Sequence, residues 1–273
     1  MPPDLPDLGA ALTGQGPGGE VAPWIEQEAL ALWQAERAAV PVTSLTARRP
    51  DVDLVDAYRI QRAGAALRIV AGPRPIGHKV GLTSEAMRRQ VGIAEPDSGV
   101  LLDYMAVPSG GTVDTAALVS PLIESEFAFR LGEDLAGEAV DVAAARAAVS
   151  EAMVALEIID TRYRGRQLAL ADSVADNAAC ARIVTGPVVP FRPGLHLPER
   201  LLSLRSGGAP AASGTGPRSS ATRSRPWRGW PGAWPRSAPD SRRATSCCSV
   251  PCTRPSRCAP ACSSKPAAPS CPR

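Results

Sequence analysis

The apolar residues that build a protein core stop at Leu204 in this chain of 273 residues. Beyond that point the sequence contains no Leu, Ile, Met, Phe or Tyr, a single Val (Val250), and twelve of the 28 prolines. A segment of this composition cannot bury enough apolar surface to offset the conformational entropy lost on folding. Any folded core must therefore come from the first three quarters of the chain.

The charge divides at the same place. Residues 205–273 carry eleven Arg, one Lys and one acid, a net charge of +11, which leaves −8 for residues 1–204 because the whole chain carries +3. One interpretation is a basic tail that binds nucleic acid through Arg and stacks bases on its tryptophans, with affinity that falls steeply as salt rises. A cysteine-based metal site is a weaker alternative, because the tail contains no CxxC pair and no His.

A shifted reading frame explains the tail better than either alternative. Arg, Pro, Ser, Ala, Cys and Trp are the residues that GC-rich coding DNA yields when it is read out of frame. When the third base of each codon is joined to the first two bases of the next, Cys247-Cys248 must read as Leu and Trp230-Pro231 as Ala. With GC-rich codon choices the tail then reads AAVLGHPVAAVAWLA from Gly216 onward and PPGDVLLLGALHAAVPVRAGM further on. We expect a frameshift near residues 214–218 and a tail, 217–273, that is non-native or disordered.

The remaining sequence divides into a flexible N-terminus, residues 1–22, and one domain, residues 23–216. Its content of 44% hydrophobic and 21% charged residues over the whole chain is that of a globular protein. Helices are predicted over 23–38, from Asp53 onward, from Thr83 or Ser84 to Gln90, and over 141–154. Strands are predicted over 76–82, 121–131 and 155–159, with EPDSG (95–99) as a turn. This mixture indicates an α+β fold without regular βαβ alternation.

The sequence predicts neither a membrane span nor an N-terminal secretion signal. There is no run of about 18 apolar residues, so no membrane span is predicted. The first residues, MPPDLPDLGAALTGQ, carry acids where a signal peptide carries Lys or Arg. We therefore expect a cytoplasmic protein.

Two carboxylates interrupt an apolar strand in PLIESEFAFRL (121–131). In a strand, Glu124 and Glu126 share one face, roughly 6–7 Å apart along the backbone, and repel each other unless a cation lies between them. Glu157, in the apolar run ALEIID, is the natural third ligand for a hard divalent cation such as Mg²⁺. The alternative from the pattern alone is a pair of solvated glutamates on an exposed edge.

Several blocks of the body resemble the 2-keto-4-pentenoate hydratase group of the fumarylacetoacetate hydrolase superfamily. The segment IGHKVGLTSEAMRRQVGIAEPDSGVLLDYM matches a family pattern that reads G-x-K-x-G-L-T-S followed by E-P-D-x-G. Further blocks occur in the family order: AYRIQ (57–61), PLIESEFAFRL (121–131), ALEIIDTRY (155–163) and LADSVADNAA (170–179). The resemblance covers about residues 25–216, and the shifted-frame strings resemble the C-terminal segment of the same group.

The resemblance implies a mixed β-sheet roll of the fumarylacetoacetate hydrolase type with flanking helices, and a homo-oligomer. It implies that Glu124, Glu126 and Glu157 hold Mg²⁺ or Mn²⁺, and that Lys79 and Asp97 lie at the substrate. The implied reaction is hydration of a 2-hydroxy-2,4-dienoate, such as 2-hydroxypenta-2,4-dienoate, to a 4-hydroxy-2-oxo acid in the breakdown of aromatic compounds. The implied partners are small molecules, with no nucleic acid and no membrane.

Alternatives remain for the function and for single residues. A 2-oxo-3-enedioate (4-oxalocrotonate) decarboxylase of the same superfamily would use the same metal centre. Whichever reaction applies, we expect a frameshifted chain that lacks its last strands to be poorly folded or inactive. Lys79 has the alternative of a surface lysine, and Asp97 that of turn chemistry. We expect His78 to pack in the interior and Arg162 to pair with a carboxylate. Three residues near position 175 are expected to cap or brace the site: Asp172, Asp176 and Asn177.

Overall fold

The computed structural model describes residues 22–82, 89, 96–135, 140–192, 195, 200–215, 245–249 and 256–257. The predicted helix between Thr83 and Gln90 and almost all of the N-terminal segment lie outside the described residues, as does most of the tail. Among the described helices, none is long and apolar enough to cross a membrane.

Three helices form one side of the body. Helix α1 spans Pro23–Ala38, α2 spans Leu45–Arg48, and α3 spans Leu54–Val70. The predicted cap of α3 is confirmed, because the Asp53 carboxylate accepts a hydrogen bond from the Asp56 backbone N–H.

The strands that carry the candidate site residues come next in the chain. Strand β1 spans Pro75–Gly81, β2 spans Asp97–Leu102, and the short β3 spans Ala106–Val107. Strand β4 spans Leu122–Leu131, helix α4 spans Val142–Ala148, and β5 spans Val149–Ile159. Helix α5 spans Leu170–Ala175, and β6 spans Cys180–Thr185. The short β7, Val189–Pro190, precedes a hairpin of β8, Leu201–Ser206, and β9, Ala209–Thr215.

Strands β1 to β6 form one mixed sheet with β10, Thr245–Ser249 from the tail, in the order β2-β1-β10-β4-β5-β6-β3. Strand β7 pairs with β5, and β8 and β9 form a separate two-stranded sheet. Strand β10 is parallel to β1 and antiparallel to β4, and β11, Ser256–Arg257, also pairs with β4. The α+β class with flanking helices is confirmed. Strands β10 and β11 are the described segments of residues 217–273.

The apolar core has two parts that hold the helices against the sheet. One lies among α1, α3 and α5 and includes Ile25, Leu32 and Ile60. The other lies between α3 and the sheet and includes Leu101 and Met153. Together they bury the helical layer against the sheet, as an α+β fold requires.

One predicted helix is wrong in its second half. The helix expected over 141–154 ends at Ala148, and β5 begins at Val149. Strand β5 pairs with β4 from Leu122↔Ile159 to Leu131↔Val149. The hydrogen bonds along this long antiparallel ladder outweigh the local helix propensity of the alanine-rich sequence.

Candidate metal centre

Three glutamates from two paired strands converge on one point. Glu124 and Glu126 lie on β4, and Glu124 is directly opposite Glu157 of β5 in the antiparallel register. One carboxylate oxygen from each of the three lies within 4.8 Å of the others. The two-residue spacing on β4 places both of its glutamates on the same face, as the sequence predicts.

The carboxylate oxygens at the centre of this cluster are buried without hydrogen-bond partners. Glu126 is 0% exposed and Glu157 is 2% exposed. Both oxygens of each side chain lack a hydrogen-bond partner among the described residues. Unpaired buried carboxylates are costly, and a cation removes that cost. An all-oxygen donor set fits a hard divalent ion such as Mg²⁺ or Mn²⁺.

The electrostatics of the cluster point the same way. Burial, followed by the charge of Glu157, raises the pKa of Glu124 to about 7. Burial and then Glu157 also raise the pKa of Glu126 well above its ordinary value. These carboxyls therefore resist ionisation as long as no cation lies between them.

Among the described residues, Lys79 forms an ion pair with the carboxylate cluster. It lies on β1, is 5% exposed, and its Nζ is 3.3 Å from Glu157 Oε1, an ion pair without hydrogen-bond geometry. Burial alone would lower the pKa of Lys79, but the charges of Glu157 and Asp97 outweigh it and raise that pKa. Lys79 is therefore a buried ammonium and not a surface lysine.

Asp97 begins β2 opposite Gly81 of β1, so the EPDSG segment is not a turn at this residue. A Cβ built on Gly81 would lie 2.2 Å from Asp97 Oδ1 and 3.3 Å from Lys79 Nζ. The missing side chain of Gly81 is thus what lets the Asp97 carboxylate lie beside the lysine. The turn prediction failed at Asp97 because strand pairing with β1 overrides the local preference of the sequence.

A buried ion pair joins the chain just after β5 to the segment just before β6. Asp176 accepts hydrogen bonds from the backbone N–H and the guanidinium of Arg162, and both residues are buried. The same guanidinium donates to the backbone oxygens of Asp160 and Cys180. The pairing that the sequence left open for Arg162 is therefore with Asp176, inside the protein.

Two further residues near the site are neutral. Burial lowers the pKa of His78 to about 4, and its side chain belongs to the β1 face opposite Lys79. Cys180 is buried, and burial followed by the charge of Glu157 raises the pKa of its thiol. The structure thus places Cys180 beside Glu157. His196 lies outside the described residues.

Two residues at the site were not predicted individually. Ser173 of α5 donates a hydrogen bond of 2.6 Å to Asp97 Oδ2, and Gly81 leaves the space described above. Both occur inside the sequence blocks that resemble the hydratase group. Only the folded chain shows that these two blocks meet.

The sequence of this chain is similar to those of known hydratases. No family model matches the chain. The chain is 36% identical over 193 residues to a 2-keto-4-pentenoate hydratase of Paraburkholderia xenovorans, covering 70% of this chain and 71% of that protein. It is 34% identical over 195 residues to a 2-hydroxyhexa-2,4-dienoate hydratase of Comamonas testosteroni, covering 71% of this chain and 74% of that protein.

A solved structure shares the fold. The 4-oxalocrotonate decarboxylase from Pseudomonas putida G7, complexed with magnesium and adipate, superposes with a TM-score of 0.67 at 28% identity. The match covers 70% of this chain and 73% of the decarboxylase. The extent of these matches agrees with the stretch of about residues 25–216 over which the sequence blocks resemble the hydratase group.

Proposed function

Because this chain belongs to the 2-keto-4-pentenoate hydratase family of the fumarylacetoacetate hydrolase superfamily, we propose that it adds water to a 2-hydroxy-2,4-dienoate. The product is a 4-hydroxy-2-oxo acid, and the setting is the breakdown of aromatic compounds. The substrate is of the 2-hydroxypenta-2,4-dienoate type. The reaction is that of the hydratases named above. The feature of this chain that supports it is the buried carboxylate cluster.

The three glutamates are the proposed ligands of Mg²⁺ or Mn²⁺. Glu126 and Glu157 offer four oxygens without hydrogen-bond partners among the described residues, and Glu124 completes the set. When bound, the ion supplies Lewis-acid polarisation of the substrate's 2-oxygen. Glu126 and Glu157 are almost fully buried, so water competes little for their carboxylates.

Lys79 and Asp97 are the proposed catalytic residues. The Lys79 ammonium is buried and positively charged, so it can offset the negative charge that develops on the substrate when its 2-hydroxyl proton leaves. The proton that leaves the 2-hydroxyl must reach the far carbon, C5, and the water molecule that adds at C4 must pass its proton to C3. A carboxylate beside an ammonium is suited to move such protons, and Asp97 Oδ1 is buried without a hydrogen-bond partner among the described residues.

The test is a direct ultraviolet assay with 2-hydroxypenta-2,4-dienoate on the purified 273-residue chain and on a frame-restored chain, because a frameshifted tail would itself slow turnover. We expect loss of the dienoate ultraviolet absorbance that requires Mg²⁺ or Mn²⁺, stops with chelator, and releases no carbon dioxide. Replacing Glu126 with Gln should abolish the metal-dependent rate, whereas Glu151→Gln, on the same sheet but in an outer ion pair with Arg130, should leave it intact. A rate that survives both chelator and Glu126→Gln would refute the assignment.

Decarboxylation of a 2-oxo-3-enedioate is the second candidate, because a solved structure of this fold is a 4-oxalocrotonate decarboxylase. Both reactions need the same carboxylate cluster. They differ in what happens at the far end of the substrate: hydration adds water at C4, whereas decarboxylation releases the far carboxylate as carbon dioxide. Carbon dioxide released from 4-oxalocrotonate, without hydration of the shorter dienoate, would identify the decarboxylase.

We also propose a homo-oligomer that acts in the cytoplasm. Three valines with large exposed fractions, Val154, Val188 and Val189, lie near one another at the β5–β7 pairing and offer apolar surface for contact between copies. Light scattering coupled to size-exclusion chromatography tests the assembly, and a monomer at micromolar concentration would contradict it.

A further inference from the structure

The two oxygens of Asp97 have different surroundings. Oδ2 accepts a 2.6 Å hydrogen bond from Ser173 Oγ on α5. Oδ1 has no hydrogen-bond partner among the described residues and lies over Gly81, on the side where Lys79 Nζ is found. One oxygen is therefore held and the other is directed toward the site.

A buried glutamine clamps together the two elements that form this hydrogen bond. Gln61 Nε2 donates to the backbone oxygen of Ser98 at 2.7 Å and to that of Val174 at 2.9 Å. These acceptors are the residues that directly follow Asp97 and Ser173 in the chain. Gln61 is only 7% exposed, so water does not compete strongly for the clamp.

The segment that carries Ser173 is fixed on both of its sides. Before it, the Asp172 carboxylate accepts from the backbone N–H and the hydroxyl of Thr46 at 2.8 and 2.6 Å. After it, the Asn177 side chain accepts from the Val100 N–H at 2.7 Å and donates to the Val100 oxygen at 2.9 Å. Ser173 therefore has little freedom to move relative to β2.

We propose that Ser173 is a positioning residue: its hydroxyl holds one oxygen of Asp97 so that the other faces Lys79 and the reacting end of the substrate. The proposal rests on the proposed hydratase function. A carboxylate rotates readily about its last bond, and a single short hydrogen bond is enough to select one orientation. Without that bond Asp97 keeps its place on β2 but loses its direction.

The test compares Ser173→Ala, Ser173→Thr and the control Ser150→Ala. Ser150 also donates its hydroxyl to an oxygen, that of Arg130 at 3.0 Å, but it is exposed and lies away from Asp97. A misdirected proton-transfer group typically lowers kcat by about 10- to 100-fold. We expect this loss in Ser173→Ala with KM and the Kd for Mn²⁺ little changed, recovery in Ser173→Thr, and no effect in Ser150→Ala. A rise in KM at unchanged kcat, or wild-type kcat in Ser173→Ala, would overturn the proposal.

Crystal structures of the same variants supply a measurement that does not need turnover. The Asp97 carboxylate should turn away from Lys79 in Ser173→Ala and keep its orientation in Ser173→Thr. An unmoved carboxylate in Ser173→Ala would overturn the positioning role even in a preparation without activity. Failure of the hydratase assay in both the 273-residue chain and a frame-restored chain would instead count against the proposed function.

A second inference concerns the reading frame and rests on strand β10. This strand lies between β1 and β4, with Lys79 opposite Cys247 and Glu126 opposite Ser249. It therefore joins the strand that carries the lysine to the strand that carries two of the glutamates. Strands paired on both edges favour Val, Ile and Leu, whereas the sequence here is TSCCS.

The shifted frame places such residues at this position. With GC-rich codons, the codons that begin at the third bases of residues 245–249 read V-L-L-L-G. We infer that the gene carries a frameshift near codons 214–218 and that the central strand of the intact protein is this apolar segment. Sequencing the coding DNA across codons 210–220 tests the inference. We expect the shifted frame downstream of these codons to encode the apolar segment. An intact frame with no such apolar alternative would overturn the inference.

Discussion

The affinity of the carboxylate cluster for a divalent cation should depend steeply on pH. Burial and the charge of Glu157 raise the pKa of Glu124 to about 7. A cation must displace the proton of any protonated carboxyl before it binds. Affinity should therefore rise as pH rises through 7, because protons compete less.

The size of the effect follows from the titration. A carboxyl with a pKa of about 7 is about one-eleventh ionised at pH 6 and about ten-elevenths ionised at pH 8. Glu124 alone therefore strengthens binding about tenfold over this range. Glu126, whose pKa is also raised by burial and by Glu157, adds to the slope. The total change in Kd lies between about tenfold and a thousandfold.

Isothermal titration of the metal-free chain with Mn²⁺ at pH 6, 7 and 8 measures this dependence. Repeating it in two buffers of different ionisation enthalpy gives the number of protons released per ion. Glu124→Gln should bind more weakly and release one proton fewer at pH 6. A Kd that is constant from pH 6 to 8, with no proton release, would show that the carboxyls are ionised without a cation and would refute the electrostatic argument.

Three other predictions concern stability and space around the site. The pKa of Glu124 is raised from its usual 4.5 to about 7, so its ionisation costs the metal-free fold up to about 3 kcal/mol at pH 8. Urea unfolding at this pH should therefore show Glu124→Gln to be more stable than the unchanged chain. A less stable variant would contradict this. Gly81→Ala places a Cβ 2.2 Å from Asp97 Oδ1 and should lower turnover together with about 1–3 kcal/mol of unfolding free energy; unchanged values of both would show that Asp97 has room to move. Burial would raise the pKa of Glu36, but the charges of Arg68 and Arg162, with hydrogen bonds from Arg68 and Tyr104, together outweigh it and lower that pKa from 4.5 to about 2. The resulting stability, about 3 kcal/mol, is present above pH 4.5 and is lost as pH falls toward 2, so Glu36→Gln should destabilise the chain at pH 7 and hardly at pH 2; an equal loss at both pH values would argue against the ion pair.

The parts of the fold that depend on local pattern were predictable from the sequence. Helix α1 begins and ends where its periodicity indicates, and Asp53 caps α3. The i, i+2 spacing of Glu124 and Glu126 fixes their common face because strand geometry has a period of two. These features require no knowledge of which strands pair.

The rest depends on pairing between distant segments, and local pattern does not encode it. Glu157 meets Glu124 through the β4–β5 register, and the same register turns the alanine-rich residues after Ala148 into a strand. Asp97 becomes a strand residue because β2 pairs with β1. Only the family resemblance brought Lys79 and Asp97 to the site, and even that did not identify Ser173 as the donor to Asp97.

The arrangement of the strands separates two tasks of the site. The proposed metal ligands lie on β4 and β5, which pair along their whole length. Lys79 and Asp97 lie on β1 and β2, and in the sheet these two strands reach β4 only through β10. A change that loosens β10 should therefore leave the three glutamates together while it moves the lysine and the aspartate away from them. If the tail is frameshifted, the chain as it stands should bind Mn²⁺ with nearly the affinity of a frame-restored chain but turn over the dienoate far more slowly, whereas a parallel loss of both would mean that β10 also holds the carboxylate cluster in place.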